Sequence, residues 1–171
     1  MDAFSFPQLL GYAAYTISLI AATQKKDNKL FLLFTFSNAL FGLHHFLLGN
    51  LSAAVSKIIV GLRMCLNIRF KGAVIAFPFA TIAVVSGYYT YQVPVSVLPV
   101  IAVVLATFVA AYSGGIKLRI CFIVCCSLWL IHNIVRHSIG GSIEETTNII
   151  IYATTVWRMK KDQRKLQTEK V

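Results

Sequence analysis

The sequence predicts an all-α, polytopic membrane protein with seven transmembrane helices, and three observations lead to this prediction. Hydrophobic residues make up 57% of the 171-residue chain and charged residues only 13%, about half of the roughly 25% that covers the surface of a soluble domain. Seven apolar stretches of near membrane-spanning length follow one another with short connections. Lys and Arg residues concentrate in every second connection, which is the charge pattern of a protein that crosses a bilayer repeatedly.

The first four stretches are predicted from apolar runs that end at polar or glycine-containing connections. Pro7 fits the first turn of helix 1, where its missing N–H is harmless. No basic residue precedes it, so we interpret this stretch as an uncleaved first helix rather than a signal peptide. The four predicted spans are Pro7–Thr23, Leu30–Leu48, Leu51–Phe70 and Ala73–Tyr91.

The last three stretches complete the predicted bundle. Helix 5 is almost wholly apolar, helix 6 begins beside the basic residues Lys117 and Arg119, and helix 7 ends at a basic tail. The connections are short, so neighbouring spans are expected to be antiparallel. The predicted spans are Val95–Ser113, Leu118–Val135 and Ser142–Trp157.

The distribution of positive charge predicts the orientation. Thirteen of the sixteen Lys and Arg residues follow helices 1, 3, 5 and 7, Arg136 alone is on the other side, and Lys57 and Arg63 lie inside helix 3. The positive-inside rule then places the N-terminus outside and the C-terminus in the cytoplasm. The net charge of +10 therefore indicates a lipid bilayer as partner, and no nucleic acid.

The two halves of the chain are similar in pattern, which predicts an internal repeat. Each half has a basic connection, a helix with a His near its outer end, a Gly-containing turn and a polar helix. The coinciding pairs are Leu30 with Leu118, His44 with His132 and, after a one-residue shift, Ser56 with Glu145, Arg63 with Tyr152 and Arg69 with Arg158.

The repeat predicts a 3+1+3 arrangement of two parallel halves. Two three-helix units joined directly would run in opposite directions through the membrane, because three is an odd number of crossings. A linker helix between them adds a crossing, so that both halves have the same orientation. The predicted segments are a first repeat at 1–71, a linker helix at 72–93, a second repeat at 94–158 and a basic cytoplasmic tail at 159–171. Parallel repeats of this kind occur in transporters whose site lies between the halves. We interpret the tail as a solvated end, with an anionic-lipid tether or a docking site as alternatives.

Polar residues concentrate in helices 3 and 7, the third helices of the two halves. Charges inside a bilayer are costly and usually functional, and helical spacing places each set on one face. We expect a central site between these helices for a small polar solute, with Arg63 favouring an anion. The alternative for Arg63 is a structural clamp to backbone carbonyls or to a Tyr hydroxyl. The candidate substrate-binding residues are Arg63, Asn67, Ser56, Glu145, Asn148 and Tyr152.

Three further residues are candidates for an outer gate. His44 and His132 lie in the outer thirds of helices 2 and 6, and Lys57 lies within reach of the outer interface. The alternatives are hydrogen bonds between helices for the histidines and snorkelling for the lysine. The sequence has no nucleophile, phosphate-binding or metal-binding motif, so we predict no enzyme activity, metal or cofactor.

Several stretches together resemble the YgjV-type bacterial inner-membrane proteins over nearly the whole chain. They are Phe46-Leu47-Leu48-Gly49, Gly61-Leu62-Arg63 to Arg69, Trp129-Leu130-Ile131-His132-Asn133, Ser138-Ile139-Gly140-Gly141 and Trp157-Arg158-Met159. The resemblance implies the bacterial inner membrane as location and a relationship to the SWEET, SemiSWEET and PQ-loop (MtN3-like) transporters, which share the 3+1+3 plan.

The resemblance implies a small-solute carrier, but the chain departs from the SWEET pattern. Helices 2 and 6 lack the hinge prolines of those proteins, and Arg63 stands in the region where their pocket has an Asn. A charged pocket argues against a neutral sugar as substrate. The alternative is a non-transporting membrane protein, an assembly or partner-binding factor on the same fold.

Overall fold

The computed structural model describes residues 5–48, 51–89, 91, 93–135 and 139–168. Within these ranges every regular element is helical and no strand occurs, which confirms the predicted all-α class and the seven helices. They are α1 (Phe6–Ala22), α2 (Asp27–Leu47), α3 (Leu51–Arg69), α4 (Ala73–Tyr89), α5 (Val97–Tyr112, preceded by a 3-10 turn at Pro94–Ser96), α6 (Gly115–Val135) and α7 (Ile139–Thr168).

Several helices meet the length and apolarity that a membrane crossing requires. Among the described residues, α2, α6 and the segment Pro94–Tyr112 are long and apolar enough to cross a bilayer, whereas α1 and α4 are apolar helices of 17 residues. An apolar helix of this length is unstable in water and is stable only when it packs against lipid or other protein. The described helices therefore support a membrane protein.

The start of α6 corrects the sequence prediction. The predicted span begins at Leu118, between Lys117 and Arg119, but α6 begins at Gly115 and includes both residues. The chain turns at Gly115, whose φ of +59° is accessible to glycine without steric cost. Arg and Lys are good helix formers, so the charged residues do not delay the helix, and a hydropathy pattern places its start too late.

The helix α7 extends beyond the predicted membrane span. That span ends at Trp157, and the helix continues to Thr168, giving 30 residues and a length of about 45 Å. Residues 159–168, predicted as part of a tail, are therefore helical. Lys, Arg, Gln and Leu dominate this segment, and their high helix propensity extends the helix beyond its apolar part.

The chain divides into two compact units, an N-terminal unit (Met1–Arg69) and a C-terminal unit (Phe70–Val171). In the N-terminal unit α2 packs against both α1 and α3. The buried Ser37 hydroxyl donates to the Ala14 carbonyl 2.8 Å away and ties α2 to α1. On the α3 side a Cβ on Gly61 would lie 3.3 Å from Asn38 Cβ, so glycine permits the close helix contact.

In the C-terminal unit the helices pack in chain order, α4 on α5, α5 on α6 and α6 on α7. The connection before α4 holds the end of α5: Lys71 Nζ donates to the Ala110 carbonyl (3.3 Å) and Gly72 N–H to the Ala111 carbonyl (2.9 Å). Partial burial lowers the pKa of Lys71 from its ordinary value. A cation at the last carbonyls of a helix stabilises its negative dipole end. The predicted repeat, with its linker helix, stays a prediction.

Candidate functional site

The buried face of α3 combines a cation with an amide. Arg63 is 5% exposed and Asn67, one helical turn further on, is 0% exposed. Among the described residues neither Asn67 Nδ2 nor Asn67 Oδ1 has a hydrogen-bond partner. Buried amides are almost always hydrogen-bonded, so an unpartnered one next to a guanidinium is a candidate for binding a ligand.

Ser56 does not share this burial. It lies on α3 two turns before Arg63 and its side chain is exposed. Seven residues of helix separate the two Cα atoms by about 10 Å along the axis. The structure therefore brings Arg63 and Asn67 together and leaves Ser56 at a distance from them.

The predicted residues of α7 line one face of the C-terminal unit. Tyr152 is 3% exposed and its ring packs on Phe122 of α6 at a centroid distance of 5.4 Å. Glu145 and Asn148 are half-buried, and the Cys126 thiol donates a hydrogen bond to the Glu145 carboxylate. These contacts place the polar face of α7 against α6.

Asn148 resembles Asn67 in one respect. Its Oδ1 atom is buried and has no hydrogen-bond partner among the described residues. An amide oxygen in that position accepts a hydrogen bond from any donor that reaches it. Each unit thus has an amide with unused hydrogen-bonding capacity, on α3 in one and on α7 in the other.

The sequence analysis missed Arg119, which is a fully buried residue of the C-terminal unit. Its side chain is 0% exposed, and its Nη1 donates to the Gly115 carbonyl 3.0 Å away. The charge pattern groups it with the basic residues that follow helix 5. The signal that could have found it is spacing, since Arg119, Phe122 and Cys126 lie at i, i+3 and i+7 on one helix face.

His44 links α1 to α2. Its Nδ1–H donates to the Pro7 carbonyl 2.6 Å away, and because a carbonyl only accepts, the proton is on Nδ1. A Cβ on Gly11 would lie 2.9 Å from His44 Cε1, so the absence of a side chain there makes room for the imidazole. The predicted gating residue is therefore held between two helices of the N-terminal unit.

The other two predicted gating residues contact aromatic rings. Lys57 Nζ lies 4.8 Å from the centroid of Phe41, a cation–π geometry, and Phe41 stacks on His45 at 6.4 Å. His132 packs edge-on against Trp129 at 5.7 Å. Its Nδ1 is buried without a hydrogen-bond partner among the described residues.

The contact between Gly11 and His44 gives a prediction for stability. Gly11→Ala forces the imidazole away from Pro7, and we expect a loss of about 1–3 kcal/mol in the free energy of unfolding. Thermal unfolding in detergent measures it. In a His44→Ala background the same change should be nearly neutral, because the clashing ring is gone. An equal loss in both backgrounds would contradict the contact.

Across the described ranges no group of three or more His, Cys, Asp or Glu side chains is placed to hold a metal ion. Arg136, Lys170 and the leader before Ser5 lie outside the described residues, as do Gly49 and Ser138 of the family-like stretches.

Comparison with known proteins gives one family and one curated relative. The family described as "Imp-YgjV: Bacterial inner membrane protein" matches residues 5–163. "Inner membrane protein YgjV" of Escherichia coli (strain K12) is 27% identical over 166 residues, covering 94% of this chain and 90% of that protein. No solved structure gives a significant match.

Proposed function

The chain belongs to the Imp-YgjV family of bacterial inner membrane proteins, and from this premise we propose that it carries a small polar anion across the inner membrane. The observation that carries the proposal is the α3 face, where the Arg63 guanidinium and the unpartnered Asn67 amide are both buried. A cation inside the bilayer costs at least about 2.5 kcal/mol. Such residues persist where they serve a solute or ion pathway.

The chemistry of the two side chains selects the solute class. A guanidinium presents planar N–H donors that match a carboxylate or phosphate group in a bidentate pair. The amide of Asn67 adds one donor group and one acceptor, which suits a hydroxyl or a second oxygen on the same molecule. A small carboxylate or phosphate fits this pair better than a neutral sugar, because its negative charge adds an attraction to the guanidinium that a neutral sugar lacks.

The C-terminal unit supplies further candidate contacts. We propose that Tyr152 and Asn148 on α7 also contact the solute, and that Glu145, His44 and His132 control its access from the outside. We extend the proposal to the topology: seven crossings in a SWEET-like 3+1+3 plan, with the N-terminus outside and the C-terminus in the cytoplasm. The alternation of basic connections supports this orientation.

A transport assay with the purified full chain tests the function. Proteoliposomes containing the protein take up ¹⁴C-labelled acetate, lactate or succinate, or ³²P-phosphate, and empty liposomes of the same lipid measure leakage. We expect at least one of these anions to enter about 10-fold faster than the leak and to saturate with concentration. Uptake at the leak rate for all four anions would refute the proposal and favour a non-transporting role.

A further inference from the structure

Residues 158–168 of α7 extend beyond the predicted membrane span, and we infer that their basic side chains bind the headgroups of anionic phospholipids in the leaflet from which the helix emerges. The inference rests on the proposed topology, in which α7 crosses the membrane, and is independent of the solute that the protein transports. The sequence alone favoured a solvated end for this segment. The structure makes it helical, which fixes the direction of each side chain around the axis.

Helical geometry gathers the basic residues on one side of the extension. At about 100° per residue, all of them lie within an arc of about 160° that also includes Trp157. The opposite side contains Met159, Gln163 and Leu166, at i, i+4 and i+7. The residues of this basic face are Arg158, Lys160, Lys161, Arg164 and Lys165.

The basic face retains a net positive charge and is accessible. Asp162 and Glu169 are the only acidic residues that follow Trp157 in the sequence, so carboxylates along this stretch can neutralise at most two of the five cations. All five basic side chains are exposed. The face is therefore available to a large anionic surface as well as to single ions.

Trp157 places the start of the basic face at the membrane surface. It is the last residue of the predicted span and is 63% exposed, as expected for a tryptophan in the aromatic belt of a bilayer. Lys161 Nζ lies 5.3 Å from the centroid of its ring. Four residues of helix rise about 6 Å, and the headgroup layer is roughly 5–7 Å thick on each side of a bilayer. Lys161 is therefore at the level of the headgroups.

The outer part of the face lies within electrostatic reach of the same headgroups. Arg164 and Lys165 are about 10–12 Å along the axis from Trp157, only a few ångströms beyond the headgroup layer. The Debye length is about 8 Å at physiological ionic strength, so the attraction persists over this distance. Basic segments next to a membrane span bind anionic lipids in this way. We favour a lipid over an acidic protein because the face is continuous with the interfacial tryptophan.

Trp157 also provides a reporter for lipids next to the basic face. Trp129→Phe keeps an aromatic ring beside His132 and leaves Trp157 as the single tryptophan. This chain is reconstituted at full length into phosphatidylcholine vesicles that contain, at one mole fraction, either phosphatidylcholine or phosphatidylglycerol brominated near the headgroup end of its acyl chains. Bromine quenches the fluorescence of an adjacent indole, so the two degrees of quenching give the preference for the anionic lipid.

We expect phosphatidylglycerol to be preferred about fivefold, which corresponds to the attraction of one basic residue close to an anionic surface. The preference should nearly disappear in 1 M NaCl, where the Debye length is about 3 Å.

A moved-charge variant tests the face rather than the total charge. It combines Lys161→Gln with Gln163→Lys and Lys165→Gln with Gln167→Lys, which keeps the net charge and transfers two lysines to the opposite side. Gln and Lys have similar helix propensities, so the helix is retained. We expect the preference for phosphatidylglycerol to fall to about twofold or less. An unchanged preference would show that the arrangement of the charges is irrelevant, and would overturn the inference.

The matched control removes charge elsewhere. Lys26→Gln with Lys117→Gln eliminates two exposed lysines outside α7 and should leave the preference unchanged. An equal loss in the control and in the moved-charge variant would assign the preference to the overall charge of the protein and would also overturn the inference.

The quenching results separate the inference from the topology on which it rests. Equal quenching by the two brominated lipids leaves Trp157 at the membrane surface but overturns the lipid preference, and favours an acidic protein as partner of the basic face. No quenching by either lipid places Trp157 away from the bilayer and refutes both the crossing of α7 and the inference.

Discussion

Arg63→Gln is expected to reduce anion uptake about 10- to 100-fold. A hydrogen bond to a charged group contributes about 1.5–3 kcal/mol, and each 1.4 kcal/mol corresponds to a tenfold change in binding. Gln keeps hydrogen-bonding capacity and much of the length of the side chain but removes the charge. The loss should therefore appear mainly as a higher KM for the transported anion, measured in proteoliposomes.

The same helix provides a matched control for this prediction. Arg69 is exposed at the last position of α3, so Arg69→Gln removes the same charge without disturbing the buried face. We expect uptake by the Arg69 variant within about twofold of the native rate, since an exposed charge contributes little. Native uptake by Arg63→Gln, or equal losses in both variants, would contradict a specific contact between Arg63 and the solute.

The helices were predictable from the sequence because a long apolar run is a strong sequence signal for a membrane-spanning helix. Long apolar runs such as those of α2 and α6 have few alternatives once they meet the thickness of a bilayer. The helix ends were less predictable, since they depend on local backbone chemistry rather than on hydropathy. Gly115 starts α6 before its apolar part, and the basic segment of α7 remains helical where hydropathy predicts its end.

The candidate site was only partly predictable for a different reason. Helical spacing placed Arg63 and Asn67 on one face of α3, and the structure buries both. Spacing says nothing about how deeply a face is buried, so Ser56 was grouped with them although its side chain is exposed. Arg119 was missed because a charge beside a predicted helix end is usually solvated.

The pattern of buried polar groups relates stability to function in this chain. The Ser37 hydroxyl has a clear partner in the Ala14 carbonyl and serves to pack helices. The amide of Asn67 is at least as buried but has no such partner among the described residues. Burial of an unpaired amide is unfavourable, by about 1–3 kcal/mol. A ligand-binding site can retain this unfavourable burial, because the bound ligand supplies the missing hydrogen bonds.

Asn67→Leu is therefore expected to stabilise the protein and to weaken its transport. Leu has the same branched arrangement of four side-chain heavy atoms and removes the unpaired amide, so the free energy of unfolding should rise by about 1–3 kcal/mol once the neighbours accommodate its bulkier methyl groups. Uptake of the anion should fall about 10-fold, since the solute loses its partner for hydrogen bonding. Thermal unfolding in detergent and uptake into proteoliposomes measure the two effects on the same preparation.

Ser37→Ala is the matched control, because it removes a buried polar group that does have a partner. It should lower stability by about 1 kcal/mol and leave the KM for the anion unchanged. The opposite signs of the two stability changes separate an amide reserved for a ligand from a hydroxyl used in packing. If Asn67→Leu destabilises the protein as Ser37→Ala does, the amide belongs to the packing of α3 and the solute site must be sought elsewhere.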